Sequence, residues 1–202
     1  MKSIDDTLEI IRDITNALPV KINIALAGGY AAILHGVERT TIDVDLCVYP
    51  EVIFESNTAS FFNLLKNHLP KRFLARLIEG SKFHDDSFRH DVIFIDDTEE
   101  EYVRIDFLIA QYKWELDGIN SAITIEDVPF PVLTKPYLAA MKLRASGHKD
   151  AHDVVTLMEL MTEAEKTKTF ELAKRIGRDK KLARLLSPPP EEEVREMPEE
   201  YL

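Results

Sequence analysis

With 202 residues, 45% of them hydrophobic and 30% charged, the chain can bury a good core as one domain, or as one domain with a small helical extension. A net charge of −11, from 25 basic and 36 acidic residues, argues against generalised nucleic-acid binding. The single Cys47 excludes an intramolecular disulfide; no run of about 18 apolar residues and no basic–apolar leader is present, so a cytoplasmic protein without membrane contact is expected.

Residues 4–18 set Ile4, Leu8, Ile11 and Ile14 at helical spacing, which predicts a helix packed behind the first strand. Ile22, Ile24, Leu26 and Ala27 follow as a short apolar, partly alternating run, which reads as a buried strand. Gly28 and Gly29 break it, and residues 30–34 read as the first turns of a helix whose free N–H groups point back at the break. Such a corner is either an ordinary tight turn or a place where backbone donors approach phosphate oxygens at the positive end of a helix. Next come Asp43, Val44 and Asp45. Residues i and i+2 of a strand share a face, so the two carboxylates converge while Ile42, Val44 and Leu46 turn to the core. Converging like charges are costly without a cation between them, so the pair is either a magnesium clamp or a solvated strand face. Cys47 reads as a small core residue.

A helix is expected around residues 57–68, carrying Phe61, Phe62, Leu64 and Leu65 and closed by Pro70. Residues 73–78 fit helix or strand equally. Residues 89–95 read as a strand, 96–101 as a hairpin turn, and 102–110 as the partner strand, with Asp106 set among Ile105, Phe107, Leu108 and Ile109. A lone acid in so apolar a run either meets whatever Asp43 and Asp45 hold or faces water from an edge strand. Ile123, Ile125 and residues 128–132 suggest two further short strands about a turn at Asp127.

From Thr134 the pattern becomes helical. Pro136 suits a first helical turn, and Leu138, Met141 and Leu143 continue that helix to Gly147. A second helix is expected over 150–161, then others over 164–176 and 179–186. Lys142 lies on an otherwise apolar helix, where it either snorkels to water or stabilises phosphate charge. Asp150 either caps the next helix or orients that lysine. His148 and His152 either contact a ligand or are surface histidines, His35 is unassigned, and no Cys/His set has zinc spacing. Residues 165–186 hold eight Lys or Arg against three acids, a basic face suited to solvent, an RNA acceptor or an acidic partner. The proline- and acid-rich residues 187–202 have too little apolar content to fold alone and are expected to be disordered or to lie on a partner.

Together, the glycine pair, the Asp-x-Asp and the later strand Asp resemble the signature of the nucleotidyltransferase superfamily with the DNA polymerase β-like fold. Within it, the runs at 28–36, 39–46 and 139–154 are similar to small bacterial and archaeal nucleotidyltransferase-like proteins related to abortive-infection type toxins. The resemblance implies an α+β fold: a mixed-sheet nucleotidyltransferase core with flanking helices over 1–133, a helical part over 134–186 that completes the nucleotide pocket, and an acidic tail over 187–202. It implies transfer of an NMP group from an NTP to an acceptor hydroxyl, with two Mg2+ ions held by Asp43, Asp45 and Asp106. Gly28 and Gly29 would bind the triphosphate, Asp106 would help activate the acceptor, and Lys142 and Asp150 would complete the pocket. The implied acceptor belongs to tRNA or other RNA, a small molecule or a protein, and an antitoxin is the implied partner. Many active members carry Gly-Ser at the corner. Here Tyr30 follows two glycines, which keeps the backbone donors and removes a phosphate-binding hydroxyl. Two readings follow: an active nucleotidyltransferase in a toxin–antitoxin pair, or an inactive, nucleotide- or partner-binding regulatory protein of the same fold.

Overall fold

The computed structural model describes residues 2–51, 57–80, 90–145 and 147–187. The first helix, α1 (Ile4–Asn16), starts where Ser3 and Asp6 form a reciprocal capping box, and it buries Leu8, Ile11 and Ile14 as their spacing predicts. Five strands follow: β1 (Ile22–Leu26), β2 (Asp43–Pro50), β3 (Phe73–Ile78), β4 (Val92–Asp97) and β5 (Arg104–Ile109). They form one mixed sheet in the order β1-β2-β5-β4-β3, in which β2 and β5 are parallel and the other neighbours antiparallel. α1 packs on β2, the sheet neighbour of the first strand.

The remaining helices are α2 (Gly28–Leu34), α3 (Thr58–His68), α4 (Lys113–Asn120), α5 (Lys135–Arg144), α6 (His148–Glu159), α7 (Glu163–Arg175) and α8 (Asp179–Leu186). The fold is therefore α+β, with a helical C-terminal part, as the sequence implies. Residues 73–78 resolve as a strand because Phe73 and Ala75 turn inward while Leu74 and Arg76 turn out. The expected start of β4 at residue 89 lies outside the described residues. Two expectations are corrected. Ile42 is 84% exposed, since β2 begins one residue later, and of Ile42, Val44 and Leu46 only the last two reach the core. Residues 123–132 form no full strands among the described residues, only bridges from Val132 to Leu26 and to Ile123.

Helix α5 is the pivot of the C-terminal part. Pro136 and every residue from Leu138 to Leu143 are buried, and the helix touches α2, α6 and α7. A helix apolar all round belongs in the middle of a packed body. One continuous core accordingly runs from Leu8 on α1 to Leu182 on α8.

Candidate active site

β1 delivers the chain to the glycine corner, where Ala27 serves as the N-cap of α2 and donates its N–H to the Asp45 carbonyl. Leu26, just before it, is bonded on both sides to the segment that leads into α5: its N–H donates to Pro131, and its carbonyl accepts from Leu133. Gly28 has φ of +62°, and a Cβ there would lie 1.7 Å from Oδ2 of Asp45, so the position admits glycine alone without rearrangement. The Gly29 N–H donates to the same Asp45 oxygen at 3.3 Å. The Tyr30 hydroxyl donates to Asp5 on α1 at 2.8 Å, and the ring does not line the pocket beside the corner.

Asp43 and Asp45 share one face of β2, and the parallel register sets Asp106 of β5 opposite Asp45. Burial, together with the neighbouring Asp43 and Asp106 charges, pushes the Asp45 carboxyl up to about 6. Burial also raises Asp106, against the pull of Arg104. The Arg104 guanidinium forks onto Asp106, Nε to Oδ1 at 2.7 Å and Nη2 to Oδ2 at 2.9 Å, and Nη2 reaches Asp43 Oδ2 at 3.4 Å. Thr41 donates its hydroxyl to the other Asp43 oxygen at 2.7 Å. Among the described residues no three His, Cys, Asp or Glu close into a metal-binding group, and here a guanidinium lies between two of the three carboxylates. A set of hard carboxylate oxygens sharing a desolvated face that already attracts a cation fits a magnesium-type ion.

Gly28, Gly29, Asp43, Asp45, Lys142 and Asp150 line one pocket of about 420 Å³, with Arg39, His148 and Lys149 also on its wall. Asp106 does not line it. Asp150 caps nothing: Gly147 is the N-cap of α6, and Asp150 instead stands 3.4 Å from Lys142 Nζ. The stronger partner of Lys142 is Asp153, at 2.6 Å, whose same oxygen accepts from Arg39 Nη1 at 2.5 Å. Asp153 is 1% exposed and Lys142 6%. No pattern in the sequence assigns a role to Asp153, Arg39 or Arg104. The one local signal was Asp153 beside Val154 on the buried face of an amphipathic helix, an acid that requires a partner.

His35 is structural, its Nε2 lying 2.7 Å from the Leu133 carbonyl. His152 joins Arg39, Thr40, His148 and Lys149 in a recess beside the main pocket. Much of the basic 165–186 face is tied down: Lys181 donates to the Leu143 and Ala145 carbonyls, Arg175 to Asp117 and Lys166 to Glu163. The solvated and partner-binding readings of that face therefore keep fewer side chains than the sequence suggests.

The mixed sheet, with its strand–glycine–helix corner beside paired aspartates, agrees with the nucleotidyltransferase resemblance of the sequence. The family model for the nucleotidyl transferase AbiEii toxin of a type IV toxin–antitoxin system matches residues 11–201, and the chain belongs to that family. Two solved structures are similar. One is an antigenic nucleotidyltransferase-like protein from Paracoccidioides brasiliensis, 14% identical over 90% of this chain and 92% of that one, with a TM-score of 0.48. The other is the antibiotic-resistance factor ANT(2'')-Ia, 12% identical over 90% and 99%, with a TM-score of 0.49. No curated protein matches the sequence. No helix among the described residues is long and apolar enough to cross a membrane.

Proposed function

We propose that the protein is a metal-dependent nucleotidyltransferase that moves an NMP group from an NTP to an acceptor hydroxyl, as the toxin of a toxin–antitoxin pair. The observation that carries this reading is the convergence of three distant stretches, the glycine corner, Asp43 with Asp45, and Lys142 with Asp150, on one pocket of about 420 Å³. That volume suits a nucleotide-sized ligand.

In this reading Gly28, Gly29 and Lys142 seat the triphosphate, with Arg39 and Lys149 adding positive charge around it. Asp43, Asp45 and Asp106 would hold two Mg2+ ions, which would supply neutralisation of the charge that develops on the transferring phosphoryl group. The acceptor oxygen bonds to the α-phosphorus, the bond from that phosphorus to the β-phosphate's bridging oxygen breaks, and pyrophosphate leaves. Asp106 takes the hydroxyl proton. The acceptor is a hydroxyl of tRNA or other RNA, a small molecule or a protein, and an antitoxin is the partner.

The test is incubation with Mg2+, labelled NTPs and candidate acceptors, including total tRNA and a cell lysate. Transfer of label is expected, with loss in Asp43→Ala. Absence of transfer, together with absence of NTP and metal binding, would sink the reading.

Three contacts favour a second reading, a nucleotide-binding regulatory protein without turnover. Tyr30 is turned away onto Asp5, the Gly29 N–H is spent on Asp45, and both Asp106 oxygens accept from Arg104. Its signature is an NTP that binds without reacting, and a biological effect that survives Asp43→Ala and Asp106→Ala.

A further inference from the structure

We propose that Arg104 is a displaceable counter-ion of the carboxylate cluster, holding the place of a divalent cation and passing to Asp96 when that cation enters. The inference rests on the metal site proposed above. Arg104 occupies both oxygens of Asp106 and touches Asp43, so each Asp106 oxygen already has a cationic donor while the fork is in place. The two partners differ in freedom: the Arg104 side chain is 43% exposed and that of Asp106 only 8%. The arginine can swing, whereas the acid is fixed in the sheet.

A place for it to go is built in. Arg104 is the register partner of Asp43 on one side. On the other, the antiparallel ladder pairs Phe94 with Asp106 and Ile95 with Ile105, so one further step along it brings Asp96 beside Arg104. Asp96 is near enough to contribute to the electrostatics of Arg104, and it already holds Arg76 at 2.8 Å. The Phe94 ring lies beneath both guanidinium groups, with Arg104 at 5.0 Å and Arg76 at 5.8 Å from its centroid. Such a face supports a planar cation in either position. A dication carries twice the charge of the guanidinium and approaches carboxylate oxygens to about 2.1 Å, so it can outcompete the fork for Asp106.

The test is calorimetric titration of the full chain with Mn2+ in the absence of nucleotide, each variant first checked for a wild-type melting profile. Arg104→Met should bind Mn2+ about tenfold more tightly than wild type, the value of one strong charge-assisted contact no longer broken, with Arg104→Lys between the two. Asp96→Asn, which removes the second position, should weaken binding about threefold in the wild-type background and have no effect beside Arg104→Met. Should Arg104→Met not fold, Arg104→Lys and Asp96→Asn carry the comparison. Unchanged or weaker binding in the Arg104 variants, or an Asp96→Asn effect independent of Arg104, would overturn the counter-ion role while leaving the metal site standing. A wild-type protein that binds no Mn2+ would overturn the metal site and this inference with it.

Discussion

Gly28 and Gly177 take similar backbone angles, φ of +62° and +67°, but only Gly28 also faces a side chain that fills the space of a Cβ. Gly177→Ala should therefore cost about 1 kcal/mol, the price of a left-handed backbone alone. Gly28→Ala should cost about 3 kcal/mol, because Asp45 must also move out of its way. Urea unfolding of the two variants would check the contrast, and equal losses would contradict it. Asp97 is held by side-chain and backbone donors together. It accepts a bidentate pair from Arg72 and N–H bonds from Glu99, Glu101 and Tyr102, and the arginine first among these holds its carboxyl far below the ordinary range. A depressed folded-state value means that its stabilisation is complete above the unfolded carboxyl's pH of about 4 and is lost as the pH falls further. Acid unfolding of Asp97→Asn should thus show a shallower loss of stability below about pH 4 than wild type. The convergence of Asp43 and Asp45 was legible in the sequence because strand alternation gives their direction. Arg104 and Asp153 were not, since what makes them matter is a partner on another element, and no local pattern announces it.

Among the elements, α4 went unseen in the sequence. It has eight residues, a glycine at Gly118, and no Ser, Thr, Asp or Asn at its cap. Its start is held instead by Glu115, whose Oε2 accepts the N–H groups of Gln111 and Tyr112 at 2.8 and 3.0 Å, while Oε1 lies 2.5 Å from His90 Nε2 and 3.8 Å from Arg144. A carboxylate only 2% exposed with four partners is a structural junction as much as a cap. Glu115→Ala should accordingly cost about 3 kcal/mol in denaturant unfolding. Thr162→Ala, which removes the ordinary capping box of the exposed start of α7, should cost about 1 kcal/mol. Comparable losses at the two caps would argue against the junction. β3 shows the opposite limit of sequence reading: six residues fit either period, and pairing with β4 decided between them.

For the whole molecule, the helices after Thr134 share one core with the sheet, through the contacts of α5 with α2. Unfolding should therefore be a single transition, with the fluorescence of the lone Trp114 and far-UV circular dichroism giving coincident midpoints. Two separated midpoints would mean that the helical part melts on its own. That the C-terminal part would be helical could be read from its periods, and the α+β fold from the family resemblance; that α5 would sit at the centre follows from long-range packing. The bonds on either side of Leu26 carry a last consequence, for which changes of length the protein tolerates. Leu26 is a common datum for the glycine corner one way and, through Pro131 and Leu133, for the lysine helix the other. Insertions far from both leave that datum where it is. One residue added between Leu133 and Lys142 would turn the lysine by about 100° around its helix and away from Asp153.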